Sequence, residues 1–386
     1  MFGKGSYFRY ALANGMFYFS FGTFVSIISV ILAGKGASAT QISLISSSAA
    51  FFSMFMQPFT GFMADRFRSP KKVGMVTLSL AIVAGLLFGY TKSFVFLFLM
   101  NGFTQGFMNG TVALSDRLAI ASKYSYGSIR VWGSICFATA AQLAGFVYDN
   151  IGPMMIYYIF VAGIALTIFG FLGMEDIMLH ESEHQGKVTT TEVLGALIKN
   201  KKFILFTMIL FMYQGSFTAQ FTYLPLFIQE LGGTTTIVGT TLFLSVLSEI
   251  PMILFSDRVF RRFSYRSLMV FAIVVTIIRY VWYSTMPSPF MIMVVFFFQG
   301  LTMIVMILLS VRIVVEIVDE RYVSSAYGIS AMLARGLSPL IFMVISGKLL
   351  DSFTGLQGFQ FMYYLTTAAA IVALVMAFFF KDEKTD

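Results

Sequence analysis

"GFMADRFRSPKK", residues 61–72, sets Asp65 and four basic residues, Arg66, Arg68, Lys71 and Lys72, into eight positions of a chain that is only 11% charged. A related phrase, "FSDRVFRRFSYR", returns at residues 255–266. The stretches around both are strongly apolar, so each reads as the polar end of a long hydrophobic segment.

The 386 residues are 58% hydrophobic with a mean hydropathy of +0.83, against about 45–50% apolar residues in soluble domains. Val73 to Tyr90 and Phe359 to Phe380 contain no charge, and each has about the 20 residues a helix needs to cross a bilayer. The chain therefore reads as an all-α integral membrane protein. Its net charge of +8 does not indicate nucleic acid, because the basic residues sit in short connections rather than along one face. Cys136 is the single cysteine and reads as a buried thiol. The first apolar stretch, from about Tyr7 to Leu32, is too long for a signal peptide and reads as the first span.

Breaks in hydropathy predict twelve spans, near 7–32, 40–64, 72–90, 94–120, 128–148, 153–173, 203–229, 235–256, 266–286, 289–317, 323–349 and 358–380. Of the 26 Lys and Arg, 21 fall in the tails, the even-numbered connections or the adjoining span ends, which predicts cytoplasmic termini. Landmarks recur in order. Asp65-Arg66 and Asp257-Arg258 are 192 apart, "YGSI" at 126 and "YGIS" at 327 are 201 apart, and Gly145…Asp149 and Gly347…Asp351 are 202 apart. Two six-helix bundles, 1–173 and 203–380, in parallel repeat account for this. Residues 174–202 form the cytoplasmic linker, where Thr189-x-x-Glu192 reads as a capping box opening an amphipathic helix. Residues 381–386 form the tail.

Gly61-x-x-x-Asp65-Arg66-x-x-x-Pro70-Lys71-Lys72, after span two of twelve and echoed at Asp257-Arg258, resembles the signature loop of the major facilitator superfamily. The resemblance covers essentially the whole chain. It implies two half-bundles that rock about a midplane site, with spans one, four, seven and ten lining a central cavity. Gly61 is expected to admit a neighbouring helix, and Asp65, Arg66, Lys71, Asp257 and Arg258 to act in gating. The alternative is a set of positive-inside anchors without a conformational role.

"YGSIRVWGS" at 126–134, Ser115-Asp116, Glu249 in "LSEIP" and Arg279 in "IIRYVWY" are similar to the lactose permease and phenylpropionate permease-like branch, which holds sugar or nucleoside:proton symporters. The Gly/Pro-rich motif that antiporting exporters carry late in span five is absent from "FATAAQLAGFVYDNIG". Two departures stand out. "FFQGLTMIVMILLS" in span ten has no ionisable group, and span seven offers only Gln214 and Gln220, so a galactoside substrate and that branch's proton relay are not implied.

An intramembrane charge costs about 2.5–3.5 kcal/mol on insertion scales, so each one needs a reason. Glu249 is the only carboxylate near a span centre, with Arg279 and Arg335 as possible partners; Asp116 with Arg130 is the matching pair in the first half. These five are the candidate proton-coupling residues, and permanent structural ion pairs are the alternative. Asn14, Tyr18, Asn101, Gln105, Asn109, Gln142, Gln214, Gln220 and Gln299 are candidate substrate-binding groups; amides that only join helices are the alternative. Gly106-x-x-x-Gly110 reads as a close-packing site. Trp132, Tyr223 and Tyr280 read as packing residues that also have ring faces. His180 and His184 lack further ligands at useful spacing, and no catalytic set is apparent, so no metal, cofactor or enzymatic activity is expected. The expected function is proton-coupled uptake of a small polar solute (sugar, nucleoside or aromatic acid) by a monomer in a bacterial cell membrane. An exporter of drugs or lipids by proton antiport, or an uncoupled facilitator, remains the alternative.

Overall fold

The computed structural model describes residues 3–176 and 190–380. The described residues are helical throughout. The first half holds α1 (Tyr7–Val25), α2 (Ile28–Gly34), α3 (Ala39–Arg66), α4 (Pro70–Tyr90), α5 (Phe94–Ile120), α6 (Tyr126–Asn150) and α7 (Pro153–Gly173). A short helix, α8 (Thr190–Lys199), precedes α9 (Lys201–Glu230), α10 (Thr235–Arg262), α11 (Tyr265–Ser284), α12 (Pro289–Ile317), α13 (Val323–Ala331), α14 (Ser338–Ser352) and α15 (Leu356–Phe379). Helix α1 with α2, and α13 with α14, each make one candidate span, and with the other long helices these are consistent with twelve. Eleven are long and apolar enough to cross a membrane. The remaining one, α5, is 27 residues long and carries Asn101, Gln105, Asn109, Asp116 and Arg117. The chain is a multi-pass membrane protein.

Two compact units emerge, Met1–Glu181 with Gly233–Phe243, and Ser182–Gly232 with Leu244–Asp386. The first part of α10 belongs with the first unit. Within that unit Asp149 of α6 accepts from the backbone N–H of Thr235 (3.2 Å) and Thr236 (2.6 Å) and from the Thr236 hydroxyl (2.7 Å). A carboxylate at a helix N-terminus satisfies exposed amides and complements the helix dipole. The helices also approach closely there, since a Cβ on Gly239 would lie 2.6 Å from the Ala141 carbonyl oxygen.

The sequence repeat is a repeat of packing. In the first unit α1 lies against α6 and α7, and α4 against α5 and α7; in the second, α9 lies against α14 and α15, and α11 against α12 and α15. Each unit also holds an aromatic cluster in the same place. Phe24 of α1 meets Phe88, Tyr157 and Phe160, with ring centroids 5.1–6.4 Å apart. Phe227 of α9 meets Tyr283, Phe359 and Tyr363 at 5.0–6.4 Å. Aromatic side chains bury large areas in preferred tilted geometries, so such clusters fix the ends of neighbouring helices.

Glycines set the closest approaches. A Cβ on Gly106 would meet Phe52 and Met56 at 3.1 Å, one on Gly110 would meet Thr60 at 2.8 Å, and one on Gly102 would overlap the Phe52 ring. In the second unit a Cβ on Gly300 would overlap the Ser245 carbonyl oxygen. Lipid gives no hydrophobic force between helices, so association depends on this intimate contact. Gly61 differs from the expectation: a Cβ there would meet nothing within 4 Å, so it admits no neighbouring helix.

Helix ends explain other residues. Lys35, just past α2, donates from Nζ to the carbonyls of Phe88 (3.2 Å), Gly89 (2.6 Å) and Thr91 (2.7 Å), capping the C-terminus of α4. Burial, and secondarily Lys92, pushes the Lys35 amine below the ordinary lysine range. Past α12, hydrogen bonds from the Arg321 side chain and backbone hold Asp319 to about 2. The helix expected in the linker is present as α8, and Glu192 accepts from the Tyr322 hydroxyl at 2.8 Å. Its proposed cap Thr189, and His180 and His184, lie outside the described residues.

Three expected helices are modified. The first span breaks at Ser26–Ile27, where the Ser26 amide (3.1 Å) and hydroxyl (2.6 Å) both take the Gly22 carbonyl, a local competition that bends helices. Helix α10 continues four residues beyond Arg258, so the second echo lies within its final turns. The eleventh span is interrupted by a π-helical turn at Met332–Leu337. Pro339 follows that turn and has no N–H to continue an α-helical ladder.

Gly300→Ala is expected to lower the thermal midpoint of the detergent-solubilised protein by many degrees or prevent its folding, because the obstructing atom is backbone. Gly61→Ala is expected to be neutral or to stabilise by up to about 1 kcal/mol, the ordinary gain in a helix interior. Fluorescence-detected thermal unfolding of the two variants measures both.

Candidate functional site

The first unit brings four candidates together around one glycine. Gly133 lies on α6 where α1 approaches, and a Cβ there would stand 2.7 Å from Arg130 Nη1, Asn14 Oδ1 and Tyr18 Cδ2 alike. Its missing side chain is the reason those three groups converge. The Arg130 guanidinium stacks over the Tyr18 ring at 4.0 Å, a cation–π contact worth up to about 2 kcal/mol when desolvated. Asn14 is 2% exposed and its Oδ1 has no hydrogen-bond partner, although a buried carbonyl oxygen left unpaired costs about 1–3 kcal/mol.

Asp116 lies beside this group on α5. Its Oδ1 accepts from the Tyr126 hydroxyl at 3.0 Å. Arg130 is near enough to act on Asp116 electrostatically, yet the two make no contact ion pair. The expected Asp116–Arg130 bridge is therefore open, with each partner engaged by a tyrosine. Around the entrance to α6, Trp132 Nε1 donates to the Tyr7 hydroxyl (3.0 Å), which donates to the Ser128 carbonyl (2.9 Å). The Trp132 N–H thus serves packing.

The amide stripe on α5 is assigned differently from the expectation. Asn101 Nδ2 donates to the Ile45 carbonyl (2.7 Å) and Ser48 Oγ (3.0 Å) of α3, Gln105 Nε2 donates to Asn101 Oδ1 (2.8 Å), and Asn109 Nδ2 donates to Ser53 Oγ (2.9 Å). Asn101 and Gln105 are buried. Asn101 and Asn109 tie α5 to α3, and Gln105 braces Asn101 within α5; in an apolar medium a donor takes the nearest carbonyl or hydroxyl. Gln142 is half-buried, and its backbone faces Gly239.

The signature loop is wired within the first unit. Asp65 Oδ1 pairs with Arg117 Nη1 of α5 at 3.2 Å, an exposed contact of the kind worth at most about 1 kcal/mol. Lys71 Nζ donates to the carbonyls of Leu172 and Met174, both at 2.8 Å, capping α7. Ser69 binds Asp176 beside it. Arg66 is exposed. In the echo, Arg258 sits over the Phe255 ring at 5.8 Å; the side chain of Asp257 lies outside the described residues.

In the second unit Arg335 occupies the π-helical turn. With Gln214, Ser310, Tyr327 and Ser330 it lines a small open recess, and no carboxylate lines that recess. Single π turns recur at functional sites because they turn side chains and carbonyls out of register. Gln214 makes only a long bond, 3.4 Å, to Thr218. Glu249 is half-buried on α10. Arg279, Gln220 and Gln299 are fully buried, and their side-chain nitrogens and amide oxygens lack hydrogen-bond partners. The Tyr223 hydroxyl donates to the Met343 carbonyl at 3.3 Å, a packing role.

Two features went unread in the sequence, the Gly133 junction and the π turn. "LARGLSP" held the second signal, since an intramembrane Arg-Gly followed by Pro within one apolar run marks a reorganised ladder.

Residues 7–361 match the model of the MFS_1 like family. The chain is 27% identical over 375 residues to maltose permease of Geobacillus stearothermophilus, covering 96% of this chain and 93% of that one. It is 26% identical over 296 residues to the probable 3-phenylpropionic acid transporter of Escherichia coli strain K12, covering 74% and 76%. In fold it is similar to a crystal structure of the nucleoside transporter NupG, with a TM-score of 0.86 at 18% identity over 96% of this chain and 98% of that one.

Asn101→Leu is expected to reduce stability by about 1–3 kcal/mol through the unpaired Ile45 carbonyl and Ser48 hydroxyl. Uptake per folded molecule should stay within twofold of the parent, measured in vesicles after normalising to monodisperse protein.

Proposed function

The chain belongs to the MFS_1 like family, and we propose that it takes up a small polar solute (a sugar, nucleoside or aromatic acid) together with protons by alternating access, with both termini cytoplasmic. It is a transporter and not an enzyme. The observation that carries the coupling is the open Asp116–Arg130 pair. Out of contact with its cation, a carboxylate inside a span is held in its charged form by the Tyr126 hydrogen bond alone and is open to proton exchange. If Arg130 leaves Tyr18 and reaches Asp116, the contact favours the charged carboxylate and releases that proton.

Solute enters the same exchange through Arg130. A solute that accepts from the Arg130 guanidinium holds it over Tyr18 and away from Asp116, so bound solute favours the protonated carboxylate, and the unpaired Asn14 Oδ1 accepts from a solute hydroxyl or amine. Solute and Asp116 thus control one arginine, which links the two fluxes. Glu249 is the proposed protonation site of the second unit, and Arg335 with Gln214 the proposed solute contact there. Relatives named for maltose, sucrose and 3-phenylpropionic acid support a solute of this size and polarity.

The test measures external pH in weakly buffered, de-energised vesicles as oligosaccharides, nucleosides and aromatic acids are added singly. One compound should cause alkalinisation, and Asp116→Asn or Glu249→Gln should abolish it. Uptake of a labelled compound without a pH change overturns the coupling and leaves a facilitator; acidification on addition indicates antiport. Gly133→Ala should reduce uptake at least tenfold with normal folded yield, because its methyl displaces Arg130, Asn14 and Tyr18.

A further inference from the structure

Arg279 is the largest fully buried side chain of the described residues, 1% exposed, and Nε, Nη1 and Nη2 all lack hydrogen-bond partners. A guanidinium carries five N–H donors in its plane and stays protonated in proteins. Leaving such a charge uncompensated costs several kcal/mol. The ring faces of Tyr280 and Phe296 stand 5.5 and 5.8 Å from Cζ. Rings engage the cation through their π faces, which leaves the N–H donors without acceptors.

The surroundings repeat the pattern. Tyr213 from α9, Tyr280 and Tyr283 from α11 and Tyr363 from α15 all lie in the field of Arg279. The hydroxyls of all four are buried without hydrogen-bond partners, as are both polar atoms of Gln220 and Gln299. Tyr280 stands close to Arg279 and Tyr363 close to Gln220, near enough to interact yet without the geometry of a hydrogen bond, and Gln299 follows Phe296 by one turn on α12. Every one of them has an O–H or N–H to donate. Among the described residues no carboxylate is paired with Arg279.

We propose that Arg279 is the centre of a small-anion site inside the second unit, taking a monovalent inorganic anion of the halide class. The anion accepts from the in-plane guanidinium donors, and the phenol and amide donors complete its shell. Size and desolvation favour a compact monoanion over a doubly charged or bulky one, because the enclosing groups supply one positive charge and otherwise neutral dipoles. This separates Arg279 from the proposed proton path, which uses Asp116 and Glu249, and the inference does not depend on the identity of the transported solute.

The experiment uses the full chain in detergent and reads the thermal midpoint in sodium chloride, sodium bromide and sodium gluconate at equal ionic strength and pH. Halides are expected to raise the midpoint saturably by several degrees over gluconate. Arg279→Gln, which removes the buried charge, is expected to unfold at the same temperature in all three salts and no lower than the parent in gluconate. Tyr363→Phe and Gln299→Leu, each keeping volume while removing a donor, should raise the half-saturating chloride concentration at least threefold. An equal midpoint in chloride and gluconate for the parent chain overturns the site. So does a halide response retained in Arg279→Gln. If that variant does not fold, an unchanged half-saturation in both Tyr363→Phe and Gln299→Leu overturns it as well.

Discussion

A polar atom inside a bilayer cannot borrow a partner from water, and that constraint sorts the side chains of this protein more sharply than hydrophobicity does. Asn101 and Asn109 meet it by binding α3, and Gln105 by binding Asn101. Thr77 and Thr111 meet it by binding each other at 2.7 Å between α4 and α5. Several groups do not meet it within the protein, and some of these lie at two charged places. Asn14 stands beside Arg130, and four tyrosines lie in the field of Arg279. Satisfied groups hold helices together; unsatisfied ones are where a solute, a proton or an ion has something to bind.

The two units answer the same packing problem with different chemistry at equivalent places. Asn101-Gly102 on α5 and Gln299-Gly300 on α12 both pair an amide with a glycine pressed against the neighbouring helix. In the first unit the amide is bonded across that contact; in the second it is buried and unbonded. The aromatic clusters at Phe24 and Phe227 are nearly interchangeable. Duplication thus fixed the scaffold, while the charges diverged: Arg130 and Asp116 sit in one half, Glu249, Arg279 and Arg335 in the other, with none at a repeated position.

Arg130 links local geometry to function. Its place over Tyr18 depends on the absence of a Cβ at Gly133, on the close approach of α1 to α6, and on Tyr126 engaging Asp116. Each is a packing fact, and together they leave a cation and a carboxylate close yet out of contact inside the membrane.

Hydropathy by itself determined the helical fold class and the membrane location, and the recurrence of Asp-Arg, "YG" and Gly…Asp marked the two-fold repeat of packing. Those depend on lengths and side-chain solvation, which are additive along the chain. The sequence also named Arg130, Asp116, Glu249, Arg279 and Arg335, because a charge in an apolar run is conspicuous wherever it points. Only the tertiary structure decided what each one faces. The α5 amides turned to α3, Gly61 turned to open space, and Lys35 and Lys71 became caps of helices about fifty and a hundred residues away. The direction of a side chain within a bundle follows from which helices touch and how closely, and that is set by long-range contacts that no local pattern carries.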